Sequence, residues 1–265
     1  MDNDYLVKEF KRQQNKRRCL HFNQGDECNE FISAHSIQRQ GQLSLIQENG
    51  HVYRFSADLK VLKGHGGKPQ PKKIGINKVS TFYGFCKAHD NQLFKYIDDF
   101  HLMPNKIQVA LYAYRCLCRE VYAKQNAVLS ADQLVKMASL DAGMEMTSPF
   151  FEGFSSGLSW LQVHKKEYDT SISKRDFSKF YYICFRSKSR FDLQLSGVLY
   201  PEYSFSGDGL QNLLNDTLTP QLITFFTAPT DDGWAFTLAW HQSSDAICRQ
   251  FVGSLAQRIH QGENV

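Results

Sequence analysis

The sequence predicts an α+β protein, with a small polar module, a helical middle, and a C-terminal antiparallel β-sheet closed by a helix. Three observations predict it. Residues 1–100 are rich in His, Gly and Lys and hold three of the seven cysteines. Residues 103–166 carry apolar side chains every three to four positions, and from 176 onward the period falls to two in β-rich runs. The boundary is therefore placed between a module over 1–100 and a helical plus β domain over 101–265.

At 265 residues, 42% hydrophobic and 13% aromatic, the chain can bury a sizeable core. That composition excludes a disordered chain, a collagen and a small disulfide scaffold. No run of ~18 apolar residues occurs, so no membrane span is expected. The N-terminus is too charged for the apolar centre of a secretory signal. The expected location is the cytoplasm, where cysteines read as metal ligands or small buried apolar residues.

In the first zone, segments 31–37 and 51–55 alternate and are separated by the turn signal Glu48-Asn49-Gly50, which suggests short strands in one small β-element. Residues 63–73 hold glycines and prolines that predict a loop. In the second zone Ile107, Leu111, Tyr114, Cys118 and Val121 form one apolar stripe, with Arg115, Arg119 and Lys124 away from its centre. A second helix is predicted from Ser130 as N-cap through Leu134, Met137 and Leu140, continuing to Lys166 with a break near Ser148-Pro149. The two should pack antiparallel. In the third zone, strands are predicted over 180–185, 191–195, 221–226 and 234–240, with Asp231-Asp232-Gly233 turning the last hairpin. The closing helix starts near Ser243 or Ser244 and presents Ile247, Phe251, Leu255 and Ile259.

The strongest chemical signal is Cys19, Cys28, Cys86 and His89. Cys86 and His89 open a predicted helix, whose first turn would aim a thiolate and an imidazole at one point. Soft thiolate and imidazole donors in four-coordinate geometry select zinc, and a zinc would hold a polar segment folded. The gap between Cys19 and Cys28 is wide for a zinc knuckle, and His21 is the alternative ligand to Cys19. Cys116, Cys118, Cys184 and Cys248 read as core thiols.

The net charge of +4 is unevenly spread. Residues 8–18 hold six basic side chains and one acid; residues 60–78 hold six lysines and no acid. A polyanion such as DNA or RNA would meet this end, with Lys63, Lys68, Lys72, Lys73 and Lys78 as sequence-independent phosphate contacts. The bland alternative is a solvated surface run. The glycine-rich stretch at 64–68 lacks the spacing of a nucleotide loop. Acid pairs such as Glu202 with Asp208 read as turn chemistry.

Two cysteines, a strand carrying His35, a loop, and a helix opened by C-x2-H together resemble the zinc-stapled treble clef, or ββα-metal module, of HNH-type endonucleases. The resemblance implies His35 as general base, Asp90 as a ligand of a catalytic magnesium or manganese ion, and Asn77 as the amide that orients the base. A neutral imidazole would then take a proton from water while the cation stabilises charge on the phosphate. This sequence departs from the family where Ala34 precedes His35 and where Phe94 stands in place of a metal-binding histidine. The segments AHSIQ, GHVYRF, GINKVSTFYGFCKAHDNQLF and YAYRCLCREVYAK are also similar to an uncharacterised bacterial protein group, of a kind often associated with defence against phage. The competing expectation is a non-catalytic zinc-stapled scaffold for nucleic acid or a protein partner. On the HNH-like reading the C-terminal half would be a sensing, docking or oligomerising platform.

Overall fold

The computed structural model describes residues 12–13, 15–25, 28–56, 59–142, 149–215 and 217–262. The predicted α+β class and the order of its three zones are observed. Strand β1 (Phe31–His35) pairs antiparallel with β4 (Thr81–Cys86), Phe31 facing Cys86 and His35 facing Thr81. The chain before β1 joins this pair, because Arg18 and Leu20 donate their N–H groups to the carbonyls of Tyr83 and Gly84 at 3.1 and 2.9 Å. Helix α2 (Lys87–Asp98) follows Cys86 without a loop and buries Phe94 and Ile97, three apart on one face.

A second hairpin is inserted between β1 and β4. It consists of β2 (His51–Ser56), the short helix α1 (Leu59–Gly64) and β3 (Gln70–Gly75), with Tyr53 facing Lys73 and Arg54 facing Lys72. Asn49 (φ 51°) and Gly50 (φ 75°) form the predicted turn before β2, in the left-handed region that these residue types tolerate best. Two expectations are corrected here. Segments 31–35 and 51–56 belong to different two-stranded sheets, since the partner of β1 lies some fifty residues downstream. The loop expected over 63–73 shrinks to the turn around Gly66 and Gly67, because Pro71 is accommodated in a hairpin whose outer edge needs no N–H donor.

Helix α3 (Lys106–Ala142) begins at Asn105, whose side-chain oxygen accepts the N–H groups of Ile107 and Gln108, both at 3.0 Å. It is one continuous helix through the place where a second was expected to start. Ser130 is not a cap: its hydroxyl donates to the carbonyl of Asn126, four residues back, which satisfies it within the helix. The side chains of Leu134, Met137 and Leu140 lie outside the described residues, as does Ser148. Helix α4 (Pro149–Ser173) starts on Pro149, a position where the missing N–H costs nothing, and packs along α3. Of the predicted stripe, Leu111, Tyr114, Cys118 and Val121 are buried, whereas Ile107 is exposed.

The C-terminal sheet has the order β5-β8-β7-β6, all neighbours antiparallel: β5 (Phe180–Ser187), β6 (Ser196–Leu199), β7 (Ile223–Thr230) and β8 (Gly233–His241). The strand expected over 191–195 is displaced to 196–199, where Val198 and Leu199 pair with β7. Helix α5 (Asp245–His260) closes the sheet. Its buried stripe is Cys248, Val252 and Leu255; of the predicted residues Leu255 is buried, Ile247 and Phe251 are half-buried beside their buried neighbours, and Ile259 is exposed. Both faces of β8 are covered. Leu238 and Trp240 pack under α5, while Ala235 and Ala239 join a core that runs through α3 to Phe94, Phe85 and Cys19. Helix α3 is thus packed on one side by the N-terminal module and on the other by the sheet. Among the described residues no helix is long and apolar enough to cross a membrane.

Candidate metal centre and adjoining cleft

Four donor atoms converge where α2 begins. The Sγ atoms of Cys19, Cys28 and Cys86 lie 3.5, 3.4 and 3.3 Å from Nδ1 of His89, and all four donors fall within 4.8 Å of one another. A tetrahedral ion with metal–sulfur and metal–nitrogen bonds of ~2.3 and ~2.05 Å requires S···N separations of ~3.6 Å. The observed set fits that tetrahedron with little adjustment, so a Cys3His cluster able to hold a metal ion is present. Each donor is placed by backbone structure. Cys86 ends β4, His89 lies in the first turn of α2, and Cys19 sits between the residues bonded to β4. Cys28 is brought back by its N–H donating to the Gly25 carbonyl at 3.0 Å.

Burial pushes the Cys19 thiol up to about 11 when no cation is close. That fits thiols that need a cation to ionise in this setting. His21 does not take the place of Cys19. Its ring stacks on His89 at 4.0 Å and 7°, and its Nδ1 accepts the N–H of Asn23 at 3.0 Å. Burial, with His89 beside it, lowers its pKa to about 4, so it remains neutral. The knuckle is also tied to the helical layer. Tyr114 on α3 donates to Asp169 Oδ1 on α4 (2.6 Å) and lies 3.2 Å from the Leu20 carbonyl oxygen.

Beside the cluster lies a cleft of about 240 Å³ that includes His35, Gln38, Arg39, Asp90, Asp98 and Arg115 in its lining. His35 stands at the end of β1 and Asp90 in the first turn of α2, next to His89. The two residues expected to act together are therefore brought to one cavity. Nε2 of His35 lies 3.2 Å from the Ile76 carbonyl oxygen, which can only accept; Nε2 carries the proton and Nδ1 keeps the lone pair. Burial lowers the pKa of His35, which favours the neutral base. Burial has the opposite effect on Asp90, raising it to about 6, and its carboxylate accepts no hydrogen bond within the described chain.

The remaining residues divide. Asn77 does not orient His35: its Oδ1 accepts from Arg39 at 3.0 Å on the surface, and the Ile76 backbone carbonyl holds the imidazole instead. Phe94 is fully buried against Phe85 and Tyr114 and belongs to the core. Lys63, Lys68, Lys72, Lys73 and Lys78 are all exposed, at the end of α1, in the following turn, on β3 and in the turn before β4, and none lines the cleft. Lys72 and Lys73 are consecutive on a strand and point to opposite faces. Cys116, Cys118 and Cys248 are buried as expected of core thiols.

Sequence reasoning missed Asp98 and Arg115. Arg115, 3% exposed, holds both oxygens of Asp98 at 2.8 Å and lies over the ring of Phe94 at 4.1 Å. Gln38 donates to the Asp98 carbonyl. The signal was present: Arg115 follows Leu111 by four and precedes Cys118 by three, a charge set inside an apolar stripe. Such a charge requires a buried partner. No family model matches the chain, and comparison with curated proteins and with solved structures likewise finds no match.

Proposed function

We propose that the Cys3His cluster holds a structural zinc ion, and that the ion fixes His35 and Asp90 on two sides of a cleft where a phosphodiester of DNA or RNA is hydrolysed with a magnesium or manganese ion. The observation that carries the reading is the sharing of one cavity by a neutral imidazole and an unpartnered carboxylate, on two elements joined at the cluster. His35 Nδ1 would accept the proton of the attacking water, and Asp90 would hold the cation that offsets charge on the phosphate. The exposed lysines would supply phosphate contacts that do not depend on sequence. A cytoplasmic, reducing setting would keep the three thiols available to the metal.

A second reading rests on one specific observation. With Phe94 in the core and Asn77 turned to Arg39, the site holds fewer polar groups than the family pattern, which suits a zinc-stapled scaffold that binds nucleic acid or protein without cutting. Cleavage of supercoiled plasmid, single-stranded DNA and RNA, with magnesium and with manganese, separates the two. On the hydrolytic reading His35→Ala lowers the rate by ~100-fold or more while zinc content stays unchanged. Absence of cutting by wild type on all three substrates, or equal cutting by His35→Ala, removes the hydrolytic reading.

A further inference from the structure

A separate cleft of about 390 Å³, sharing no lining residue with the His35 cleft, is bounded by β2, β4 and the middle of α3. Its lining includes Arg54, Thr81, Tyr83, Arg119, Tyr122 and Asn126, and contains no acidic side chain among the described residues. Arg54 projects from β2 and Arg119 from α3. Neither guanidinium forms a hydrogen bond or ion pair among the described residues. Two more arginines stand at the rim. Arg17 lies over the ring of Tyr83 at 5.0 Å and Arg18 over that of Tyr122 at 5.6 Å. Among the described residues the hydrogen bonds of the Arg18 guanidinium go to neutral amides, Nη1 donating to Gln125 Oε1 at 2.7 Å and Nη2 to Asn126 Oδ1.

Arg54 and Arg119 in the lining, with Arg17 and Arg18 close by, repel one another, and among the described residues no carboxylate lines the hollow to pair with them. Burial lowers the pKa of Arg119, the attraction of Glu120 only partly offsets it, and Arg54 nearby adds to the lowering. A neighbouring cleft of about 440 Å³ also touches Arg54 and Arg119, but it includes Glu120 and Asp192 and so suits an anion less well. Guanidinium forks match the oxygens of a phosphate group, and both hollows are in the size range of small-ligand sites, ~300 to ~1,000 Å³. Tyr83 and Tyr122 would give the remainder of such a ligand an aromatic wall.

We propose that the hollow between β2, β4 and α3 is a phosphate-binding site in which Arg54 and Arg119 clamp the phosphate of a nucleotide-sized ligand or of a nucleic-acid strand. It is a different site from the His35 cleft and holds whether or not that cleft is hydrolytic. Two arginines from separate elements provide the clamp, so each should be needed.

The test is calorimetric titration of the full chain with pyrophosphate, adenosine monophosphate, adenosine and a thymidine oligonucleotide, for wild type, Arg54→Gln and Arg119→Gln. Binding of the two small phosphates but not adenosine, weakened at least tenfold in each variant, assigns a small phosphorylated ligand. Binding of the oligonucleotide alone, weakened to the same degree in both variants, assigns a nucleic-acid phosphate. Failure of wild type to bind any phosphate-bearing probe overturns the site, and so does unchanged affinity in the two variants. Arg54 is exposed on its strand, so its variant stays informative if Arg119→Gln folds poorly.

Discussion

Replacing Arg115 by Met tests the part of the candidate site on which its geometry most depends. Arg115 is 3% exposed and binds both oxygens of Asp98 at 2.8 Å, while the Asp98 side chain keeps 31% of its surface in solvent. Breaking a fully buried pair costs about 3–5 kcal/mol, because the surviving charge is stranded. Here solvent reaches Asp98, which reduces that figure to ~2–3 kcal/mol. Loss of the guanidinium from the Phe94 face, at 4.1 Å, adds ~1 kcal/mol. The expected destabilisation is ~3–4 kcal/mol, which at ~2–4 °C per kcal/mol lowers Tm by ~6–16 °C. Scanning calorimetry and urea unfolding of Arg115→Met, Asp98→Asn and the double variant give a double-mutant cycle, with an expected coupling of ~2 kcal/mol. Arg115→Met combined with Asp98→Leu should recover most of the loss, because no charge is left unpaired. A single variant within ~0.5 kcal/mol of wild type, or strictly additive singles, refutes the reasoning.

Three further outcomes are expected. Replacing Cys86 by Ser should abolish most of the zinc found by atomic emission in purified protein and lower Tm, since one of four ligands is lost; full zinc retention would remove the assignment of that thiol. Gly233→Ala should cost ~2–4 kcal/mol in urea unfolding, since Gly233 has φ 156° and an added Cβ would lie 2.1 Å from the Ser187 carbonyl oxygen, a backbone atom that cannot swing aside. A neutral result there would mean that the end of β5 moves freely. His241 has a pKa below 6.5, lowered by burial against the opposing pull of Glu167, with Lys179 and His164 also lowering it and Asp176 raising it. The unfolded chain therefore binds the extra proton first as pH falls below 6.5, so this stabilising contribution is complete above 6.5 and is lost on acidification down to the folded pKa. The urea midpoint of wild type should fall more steeply between about pH 7 and pH 5 than that of His241→Asn; equal slopes would exclude His241 as the source.

Local signals made most of the fold legible, and the parts that were hidden are those set by distant partners. The turn at Asn49-Gly50 and the hairpin at 231–233 lie in a few consecutive residues whose backbone preferences act alone. The pairing of β1 with β4 is decided by packing on α3, and nothing within 31–56 discloses that the strand following the turn belongs elsewhere. Ser130 misled because a serine satisfies an N-cap and a mid-helix i−4 carbonyl equally well, and only the length of the buried face chooses between them. At the candidate site, Cys86 and His89 were readable because one helical turn brings them together. Cys19 and Cys28 needed the bonds of residues 18–20 to β4 to reach the same point. The displacement of Asn77 was not readable, since a backbone carbonyl one residue earlier does the same work for His35 and leaves no trace in residue type.

The two acids on α2 decide what kind of cation chemistry the cleft can support. Asp90 and Asp98 are eight residues apart, which places them ~12 Å apart along the helix and ~80° apart around it. Two carboxylate oxygens bound to one magnesium ion can be no more than ~4.2 Å apart, twice the ~2.1 Å bond length. A shared ion would need each side chain to extend fully toward the other, yet Arg115 already holds both oxygens of Asp98 in place. On the hydrolytic reading proposed above, a cation in this cleft would have Asp90 as its acidic ligand and would complete its shell with water and the substrate phosphate, because the one free lone pair of His35, on Nδ1, is reserved for the base. That pattern suits magnesium, which retains several waters and often takes a single carboxylate together with phosphate oxygens. On that reading the cation would be held weakly before substrate arrives. On the same reading Asp98 would be a positioning residue acting through Arg115, a pair that fixes the far end of α2 while the Cys3His cluster fixes the near end.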